Sequence, residues 1–480
     1  MSFSSFYRHD GLFAAKANPF SKSGYILKSV WLSIALASLL RTCAAQEPAL
    51  RMDQIVQSYV DNKQFMGAVL VAENGKVVLS KGYGSANIEW NIPDSSSTKF
   101  RLGSITKQFT AASILLLEER GKLKTDDPIK KYMQDAPAAW DKVTIFNLLT
   151  HTSGIPSFTD FPDYSTTEAI PTIPEKLVGR FRDKPLSFTP GEKWAYSNSG
   201  YVLLGYLLEK ISGQSYRDFV QENIFKPLGM DDSGYDSNSA IMPRRASGYS
   251  PSQNGPVHAG YIDMTIPFSA GALYSTTEDL LRWEQGLFGG KVLSAASLKK
   301  MTTAFKNDYA FGLAVSSVNG HALIEHGGGI EGFNTQLSYY PDDKLTVIVL
   351  GNLNGSAPGE IARKLARFCV PALVRKPIAD TEPQVTTLVR TTLDDLAANK
   401  PNLDSFVPDQ RDVWAPERIK GLSAFVKSLG ALKSIDLLER KEDKGSRLYT
   451  YRAEFADHAM LVDLTLDRDS KINAFRVHLE

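Results

Sequence analysis

The sequence predicts an α+β fold: an antiparallel sheet built from both ends of a large domain and flanked by helices, with a helical insert, followed by a small C-terminal α+β domain. Strand-like runs near residues 67–82 and 321–350 enclose mainly helical patterns, which indicates that one sheet takes strands from both ends. A proline-rich break over residues 371–383 precedes a second set of helices and strands. At 480 residues the chain also exceeds the roughly 250–300 residues at which single cores stop growing.

The composition is that of a folded globular protein, and it excludes several kinds of site. Hydrophobic residues make up 43% and charged residues 22% of the chain, which excludes intrinsic disorder. Lys and Arg total 54 against 53 Asp and Glu, so the charge gives no reason to expect a nucleic-acid partner. Two cysteines, Cys43 and Cys369, are too few for a disulfide framework or a cysteine-built zinc site. The histidines are scattered, and we predict neither a metal nor an organic cofactor.

The first 45 residues are predicted to be a leader. Five basic residues and one acid occur in this stretch, an apolar run over residues 29–40 follows Lys28, and the small residues Cys43-Ala-Ala precede Gln46. These features describe a secretory signal, and a run of twelve residues is too short for a hydrocarbon core that needs about 20. We therefore expect a secreted or periplasmic protein that meets the membrane only through its leader. An uncleaved anchor and a buried helix are the alternatives.

Two groups of strands are predicted for the main domain, residues 46–370. The runs 67–73 and 76–82 flank Asn74-Gly75, the strongest short-range signal for a hairpin, because both turn residues must reach positive φ. The second group consists of three runs, which Gly-rich and Pro-Asp-Asp turns separate from one another: His321–His326, Thr335–Tyr340 and Leu345–Leu350. We expect both groups to join in one sheet.

Helices are predicted between the two groups of strands. Ser104–Arg120 carries apolar residues at helical spacing and stops at Gly121. Shorter helices are predicted at Thr144–Thr150, Gly200–Ser212, Tyr216–Ile224 and Thr277–Gly286. These segments would supply the flanking helices and the insert.

After a linker over residues 371–383, residues 384–480 are predicted to form a domain of their own. Two helical patterns, Val385–Ala398 and Glu417–Leu429, precede four strand-like runs, which are Lys433–Arg440, Arg447–Glu454, Ala459–Leu466 and Lys471–Val477. Leu461–Leu466 alternates in part, so one face of this sheet is expected to stay wet. The order of elements resembles cystatin-like and NTF2-like domains, a likeness of pattern that says little about function.

Several common catalytic signatures are absent from the sequence. There is no G-x-S-x-G elbow, because Pro267 stands where the first glycine would precede Ser269. There is also no H-E-x-x-H pair and no G-x-x-x-x-G-K-[ST] loop. These absences remove the usual α/β-hydrolase, metalloprotease and NTPase interpretations.

The tetrad Ser104-Ile-Thr-Lys107 is the first candidate for chemistry. Two further copies of S-x-x-K occur, at residues 96–99 and 297–300, but only the copy at 104 follows a glycine and opens a long apolar helix. Three residues along a helix place the serine and the lysine on one face. A lysine whose pKa is lowered by burial and by the helix N-terminus can take the serine proton. The free N–H groups at that helix end are candidates for an oxyanion hole.

Two further motifs follow in order, Tyr196-Ser-Asn198 and His326-Gly-Gly. With S-x-x-K they make the sequence resemble the serine β-lactamase-related hydrolases, the family of class C β-lactamases, D-Ala-D-Ala carboxypeptidases, D-aminopeptidases and certain esterases. The likeness runs from about Met52 to Gly351, and it includes the supporting stretches Leu148–Ile155, Pro227–Met230 and Ala270–Asp279. It implies a β-lactamase/transpeptidase-like fold for the main domain.

The resemblance implies catalytic roles for four side chains. Ser104 would be the acylated nucleophile and Lys107 its proton acceptor. Tyr196 would pass a proton between nucleophile, leaving group and attacking water, and its phenol would need flanking cations, Lys107 among them, to act as a base. Asn198 would orient Lys107 and the substrate amide.

The resemblance also implies an oxyanion hole and a substrate-binding strand. The N–H groups of Ser104 and Gly329 would bind the oxyanion, and Gly327, Gly328 and Phe333 would contact substrate. His326 replaces the lysine of the lactamases proper. An imidazole is only partly cationic at neutral pH, so we expect a substrate carboxylate to be held less firmly, and β-lactam hydrolysis to be less efficient, unless His326 is kept charged.

The leading hypothesis is a secreted serine hydrolase that acts on a small molecule or peptide through an acyl-serine intermediate. It would cleave an amide or ester bond in a D-amino-acid peptide, a β-lactam or a small ester. The alternative is a penicillin-binding or sensor protein that is acylated but barely turns over. Labelling by a fluorophosphonate or penicillin probe, followed by a substrate panel, separates the two.

Overall fold

The computed structural model describes residues 47–479 apart from 409–415, 444 and 456–458. The leader predicted over residues 1–45 lies outside the described residues. Within the part of the chain that is described, no helix combines the length and the apolar character that crossing a bilayer requires. No group of three or more His, Cys, Asp or Glu side chains in that part is placed to hold a metal ion.

Strands lie at both ends of the main domain, with most of the helices between them. In chain order the strands are β1 (Gly67–Glu73), β2 (Lys76–Tyr83), β3 (Ser85–Asn87), β4 (Ile92–Pro93), β5 (Phe100–Arg101), β6 (Gly234–Tyr235), β7 (Tyr249–Ser250), β8 (Val257–His258), β9 (Leu273–Ser275), β10 (Ala314–Val318), β11 (His321–Ile330), β12 (Phe333–Tyr340) and β13 (Leu345–Gly351). The helices are α1 (47–61), α2 (Thr106–Glu119), α3 (Ile145–Leu149), α4 (Tyr164–Thr167), α5 (Pro174–Arg182), α6 (Asn198–Ser212), α7 (Tyr216–Val220), α8 (Lys226–Leu228), α9 (Phe268–Gly271), α10 (Thr277–Phe288), α11 (Ala295–Met301) and α12 (Ala357–Cys369). This arrangement confirms the predicted α+β class.

The main sheet has six strands in the order β10-β11-β12-β13-β1-β2, and every neighbouring pair is antiparallel. The prediction of one sheet built from both ends of the domain is therefore confirmed. β13 and β1 are adjacent interior strands, buried along their length apart from the partly exposed Glu73, which is why nearly all of their residues are apolar. Asn74 (φ +51°) and Gly75 (φ +76°) form the turn between β1 and β2, so the predicted hairpin is confirmed.

Helix α2 runs through the interior of the main domain. Its residues from Thr106 to Leu117 are all buried, and it packs against α6, α9 and α11. The sequence predicted a helix from Ser104 to Arg120, whereas the α-helix begins two residues later, after a 3-10 turn over Gly103–Ile105. A surface helix buries only one stripe, whereas α2 is buried around its whole circumference, so α2 is a core helix.

The C-terminal part contains helices α13 (Pro383–Ala397) and α14 (Pro416–Ser428) and strands β14 (Ser434–Asp443), β15 (Ser446–Glu454), β16 (Ala459–Leu466) and β17 (Ile472–Leu479). The strands form a separate antiparallel sheet in chain order. Buried and partly exposed positions alternate in β16, in keeping with one wet face. Among the described residues, the core of this part, with Val389, Tyr451 and Val462, shares no member with the core of the main domain. The boundaries of the linker, 371–383, stay a prediction.

Candidate active site

Ser104 lies on the 3-10 turn that leads into α2, beside strand β11. Gly103, just before it, has φ +54°, a conformation that L side chains rarely adopt. A Cβ atom at Gly103 would lie 2.8 Å from the backbone nitrogen of Gly329. Conformation and space therefore both require glycine at 103, and the turn holds Ser104 against the glycine-rich end of β11.

Lys107 follows Ser104 by one helical turn and is completely buried. Its Nζ lies 3.0 Å from Ser104 Oγ, 2.9 Å from Asn198 Oδ1 and 2.9 Å from the carbonyl oxygen of Ala270. Burial lowers the pKa of Lys107 well below its usual range. A neutral amine has two hydrogens and one lone pair. When the hydrogens are donated to Asn198 and Ala270, the lone pair faces the Ser104 hydroxyl, which is the arrangement of a base for that hydroxyl.

The other two S-x-x-K tetrads lack this environment. Lys99 forms an ion pair with Asp232 at 3.0 Å, and Lys300 forms one with Glu118 at 2.9 Å. An ammonium held by a carboxylate has only donors and no lone pair to offer. Lys107 differs from Lys99 and Lys300 because it is completely buried and forms no ion pair with a carboxylate among the described residues.

Tyr196 meets Ser104 from the other side. Its hydroxyl donates a hydrogen bond of 2.8 Å to Ser104 Oγ. Burial raises the pKa of Tyr196, and the bond with Ser104 offsets this only in part, so the phenol keeps its proton at neutral pH. The sequence required flanking cations for Tyr196 to act as a base. A neutral Lys107 does not supply that charge, and the geometry suits Tyr196 as a proton relay instead.

Asn198 is the first residue of α6 and is held on both faces of its side chain. Its Oδ1 accepts from Lys107, and its Nδ2 donates a hydrogen bond of 3.1 Å to Thr159 Oγ1. The helix starts here because Ser197 caps it, accepting a bond from the N–H of Gly200. The cap and the side-chain contacts together fix Asn198 beside Lys107.

His326 is buried and neutral. Its Nδ1 lies 2.6 Å from the carbonyl oxygen of Gly327, and its Nε2 lies 3.0 Å from the Tyr309 hydroxyl. Because a carbonyl only accepts, Nδ1 carries the ring proton and Nε2 accepts from Tyr309. Burial, and to a lesser degree the proximity of Lys107, lowers the pKa of His326 to about 4. The charged imidazole that would hold a substrate carboxylate is therefore not present at neutral pH.

A cluster of aromatic rings supports Tyr196. The ring of His151 lies with its centre 4.3 Å from that of Tyr196 and 4.6 Å from that of Tyr309. His151 Nδ1 accepts a hydrogen bond of 3.2 Å from the N–H of Ser197, and burial lowers the pKa of His151 well below its usual range. His151 thus acts as a neutral packing group that fixes the segment carrying Tyr196.

The glycine-rich end of strand β11 lies beside Ser104, and one edge of this end is not paired with another strand among the described residues. Its pairing with β10 stops at Glu325, so the residues after it have no β10 partner on that side. Thr335 on β12 donates a hydrogen bond of 2.8 Å to the carbonyl oxygen of Leu102, and a Cβ at Gly328 would lie 1.9 Å from the same oxygen. These contacts hold the backbone of Ser104 beside that of Gly329, the two residues whose N–H groups are predicted to form the oxyanion hole.

Two cavities meet at Ser104, and Gly329 lines both of them. The first, here called the His326 cavity, measures about 430 Å³, and its walls include Tyr196, His326, Gly327 and Gly328. The second, here called the Glu331 cavity, measures about 210 Å³, and its walls include Phe158, Tyr164, Asn198, Ile262 and Glu331. A substrate bond placed at Ser104 would therefore have one substituent in each cavity.

Phe333, which was expected to contact substrate, lines neither of these cavities. Its side chain is buried in the hydrophobic core, and its ring centre lies 5.8 Å from the guanidinium of Arg101. We correct the expectation: at the start of β12 this ring packs into the protein, and Phe333 is a core residue.

Two groups at the site were missed by sequence reasoning. The carbonyl of Ala270 accepts a hydrogen from Lys107, but a backbone acceptor leaves no mark in a side-chain pattern. Glu331 is in the wall of a cavity that reaches Ser104. Its position five residues after His326, directly behind a recognised motif, was the signal available.

Comparisons with known proteins agree with this geometry. The Beta-lactamase family model matches residues 52–371, more than half of the chain. Penicillin-binding protein 4* of Bacillus subtilis (strain 168) is 30% identical over 331 residues, which cover 64% of this chain and 72% of that protein.

Solved structures extend the likeness. A D-stereospecific amidohydrolase from Streptomyces sp. is 26% identical, with a TM-score of 0.57 over 66% of this chain and 97% of its own. The octameric penicillin-binding protein homologue from Pyrococcus abyssi, 23% identical, shares the fold over 89% of this chain and 99% of its own, with a TM-score of 0.61. The protein is a member of the beta-lactamase family of serine hydrolases.

Proposed function

We propose that the protein hydrolyses an amide or ester bond through an acyl intermediate on Ser104. The observation that carries this proposal is the completely buried Lys107, whose amine lies 3.0 Å from Ser104 Oγ and has other acceptors for its own hydrogens. A serine hydroxyl needs such a base in order to act as a nucleophile. A sensor that is acylated but barely turns over would use the same nucleophile, so turnover decides between the two.

Acylation begins with loss of the Ser104 proton to Lys107 as Oγ attacks the carbonyl carbon of the substrate. The carbonyl electrons move onto its oxygen, which the N–H groups of Ser104 and Gly329 stabilise. The bond to the leaving nitrogen or oxygen then breaks, and the leaving group takes a proton from Tyr196. The proton held by Lys107 replaces the one that Tyr196 gave up, so Lys107 is neutral again in the acyl-enzyme.

Deacylation repeats these steps with water as the nucleophile. Water attacks the acyl carbon and loses a proton, relayed by Tyr196, to Lys107. When the bond between the acyl carbon and Ser104 Oγ breaks, Oγ takes the proton back from Lys107 and the free acid departs. The cycle restores the starting protonation of all three side chains.

The proposed substrate is the amide or ester of a small acyl group. A neutral His326 is a poor anchor for a carboxylate, which disfavours β-lactams. The likeness to the Streptomyces D-stereospecific amidohydrolase supports amides of D-amino acids among the substrates. We also propose that the protein is exported, on the strength of the leader features in residues 1–45.

Hydrolysis of p-nitrophenyl acetate by wild type and Ser104→Ala tests the proposal. We expect the variant to lose at least about 1,000-fold in kcat/KM and to escape fluorophosphonate labelling, because loss of the nucleophile removes the acyl intermediate. Ser96→Ala, in another S-x-x-K tetrad, is the matched control and should behave as wild type. Undiminished turnover by Ser104→Ala would overturn the proposal, and labelling without turnover in wild type would support the sensor.

A further inference from the structure

Glu331 forms no ion pair with any of the described residues. It lies on the two-residue turn between β11 and β12, which pair up to Ile330 and Phe333. Its Oε2 is shielded from solvent and has no hydrogen-bond partner among the described residues. A buried polar atom without a partner costs about 1–3 kcal/mol, more if charged, and such a cost is retained where a ligand makes the missing contact.

The Glu331 cavity has a negative character. Its described lining includes no lysine or arginine. Tyr164 is part of that lining, and burial first, with the charge of Glu331 next, raises the pKa of Tyr164. Burial and the same charge raise the pKa of Glu168. Arg180 is not part of the lining: its guanidinium lies 5.4 Å from the ring centre of Phe158, and its ion pair is with Asp163 at 3.5 Å.

The two cavities receive different parts of the substrate in the proposed reaction. Tyr196, the proton donor to the leaving group, lines only the His326 cavity, and Asn198 lines only the Glu331 cavity. The leaving group therefore occupies the former and the acyl group the latter. At about 210 Å³ the Glu331 cavity is smaller than the roughly 300–1,000 Å³ of pockets for drug-sized ligands, so the acyl group is small.

The His326 cavity gives the complementary observation. Its described lining also contains no lysine or arginine, and His326 is neutral at neutral pH. Arg363 stands close to Gly359 in the wall, but it is not itself part of the lining, and its charge acts on the buried Glu325. A leaving group that ends in a carboxylate therefore finds no cation in the wall.

We infer that the acyl group carries a free ammonium recognised by Glu331: the substrate is an amide or ester of an amino acid whose α-amine is unblocked. This inference rests on the proposed function. An ammonium beside Glu331 supplies the partner that Oε2 lacks, while Phe158 and Ile262 offer apolar surface to the side chain. The activity is then removal of an N-terminal residue or hydrolysis of an amino-acid amide, not trimming of a C-terminus.

Matched pairs of substrates test the inference. Alanine p-nitroanilide with a free amine is compared with its N-acetyl derivative, in D and L forms. We expect wild type to favour the free amine by roughly tenfold to hundredfold in kcat/KM, the value of a charge-assisted hydrogen bond. Glu331→Gln should remove most of this preference and Glu331→Asp should keep part of it. Glu175→Gln, at an exposed position in the first turn of α5, is the matched control and should keep all of it.

Three results would overturn the inference. One is equal kcat/KM for free and acetylated substrates in wild type, which needs no variant to fold. Another is a preference that survives in Glu331→Gln. The third is a higher kcat/KM for an acetylated dipeptide with a free carboxylate, lost in Arg363→Gln. Ser104-dependent hydrolysis of p-nitrophenyl acetate, which has no amine, shows in each case whether the proposed function still stands.

Discussion

Lys107 can act as a base because two acceptors hold the hydrogens of its neutral amine, while burial disfavours its charged ammonium form. Asn198 Oδ1 and the carbonyl of Ala270 take the hydrogens, and burial alone is the cause of the lowered pKa. Tyr196 keeps its proton for the opposite reason, since burial disfavours a phenolate. Before substrate binds, the site therefore holds a neutral amine, a neutral phenol and a neutral imidazole.

Lys107→Arg should abolish hydrolysis, because a guanidinium stays protonated and cannot accept the Ser104 proton. We expect kcat/KM for p-nitrophenyl acetate to fall by at least about 1,000-fold. Lys99→Arg, at the ion-paired lysine of another tetrad, is the control and should remain active.

The pH profile of the wild-type enzyme checks the same base. Because the pKa of Lys107 is lowered and only the neutral amine is competent, kcat/KM should be high at neutral pH and fall on acidification through that lowered pKa. A rise in kcat/KM confined to the ordinary range of lysine, near pH 10.4, would contradict this assignment.

His326 makes the fold sensitive to acid. Its pKa of about 4 in the folded protein lies below the value near 6.5 expected when unfolded, so the unfolded chain binds the proton first. Its contribution is complete above pH 6.5 and is lost as the pH falls towards 4. Between pH 7 and pH 4.5, His326→Gln should lose about 2–3 kcal/mol less unfolding free energy than wild type in urea titrations. An equal loss in both proteins would show that His326 is already charged in the fold.

Motif order was enough to bring the site residues together, but not to give their protonation. Ser104, Lys107, Tyr196 and Asn198 were chosen for residue type and sequence, and the structure brings them within hydrogen-bonding distance. The neutral state of His326 follows mainly from its burial in the folded protein, which no spacing in the sequence reveals.

At the scale of elements, the active site depends on how closely β11 approaches the turn before α2. A Cβ at Gly328 would lie 1.9 Å from the carbonyl oxygen of Leu102 and 2.3 Å from Thr335 Oγ1. The same carbonyl accepts the hydroxyl of Thr335. This three-way contact sets the distance between the nucleophile and the predicted oxyanion hole.

Gly328→Ala should therefore separate strand and turn. We expect a loss of about 2–4 kcal/mol in unfolding free energy and a large drop in hydrolysis, because backbone cannot yield as a side chain can. Gly327→Ala is the matched control: its new methyl meets a side-chain atom, Gln336 Oε1, at 3.1 Å, so a smaller loss is expected. Denaturant midpoints and esterase rates are measured for both variants. Equal losses of stability and activity in Gly328→Ala and Gly327→Ala would contradict the special role of Gly328.

The elements with strong local signals were the ones that the sequence predicted. The hairpin at Asn74-Gly75 needs only its own turn residues, and β1 before it is an apolar run up to Glu73. Helix α12 was not predicted, although it packs an apolar face, including Ile361 and Leu365, on β13. The split of the predicted helix Tyr216–Ile224 into α7 and a π-helical turn depends on tertiary packing, which periodicity does not carry.

On the scale of the whole molecule, the C-terminal part has its own core and contributes no wall to either cavity. Among the described residues, none after Gly359 lines either cavity. The segment over residues 371–383, before α13, contacts β14 through a hydrogen bond of 2.8 Å from the N–H of Ile378 to the carbonyl oxygen of Leu437. This segment therefore connects the C-terminal part to the main domain. Because the two parts have separate cores, we expect two unfolding units.

Removal of residues 381–480 should leave hydrolysis of p-nitrophenyl acetate intact and delete one of two calorimetric transitions of the full chain, because the cores are separate. The assay and the scan are run on the two proteins side by side. Loss of activity in a truncated protein that still unfolds cooperatively would show that the tail completes the site.

The central claim is that a bond in the substrate is exchanged for a bond to Ser104 Oγ. Rapid acid quenching of the enzyme during turnover of p-nitrophenyl acetate, followed by peptide mass spectrometry, tests it most directly. We predict one acetyl group, on Ser104, that accumulates more in Tyr196→Phe because the relay for deacylation is lost, and that is absent in Ser104→Ala. An acetyl group on a different residue, or turnover with no covalent species in either enzyme, would contradict the claim.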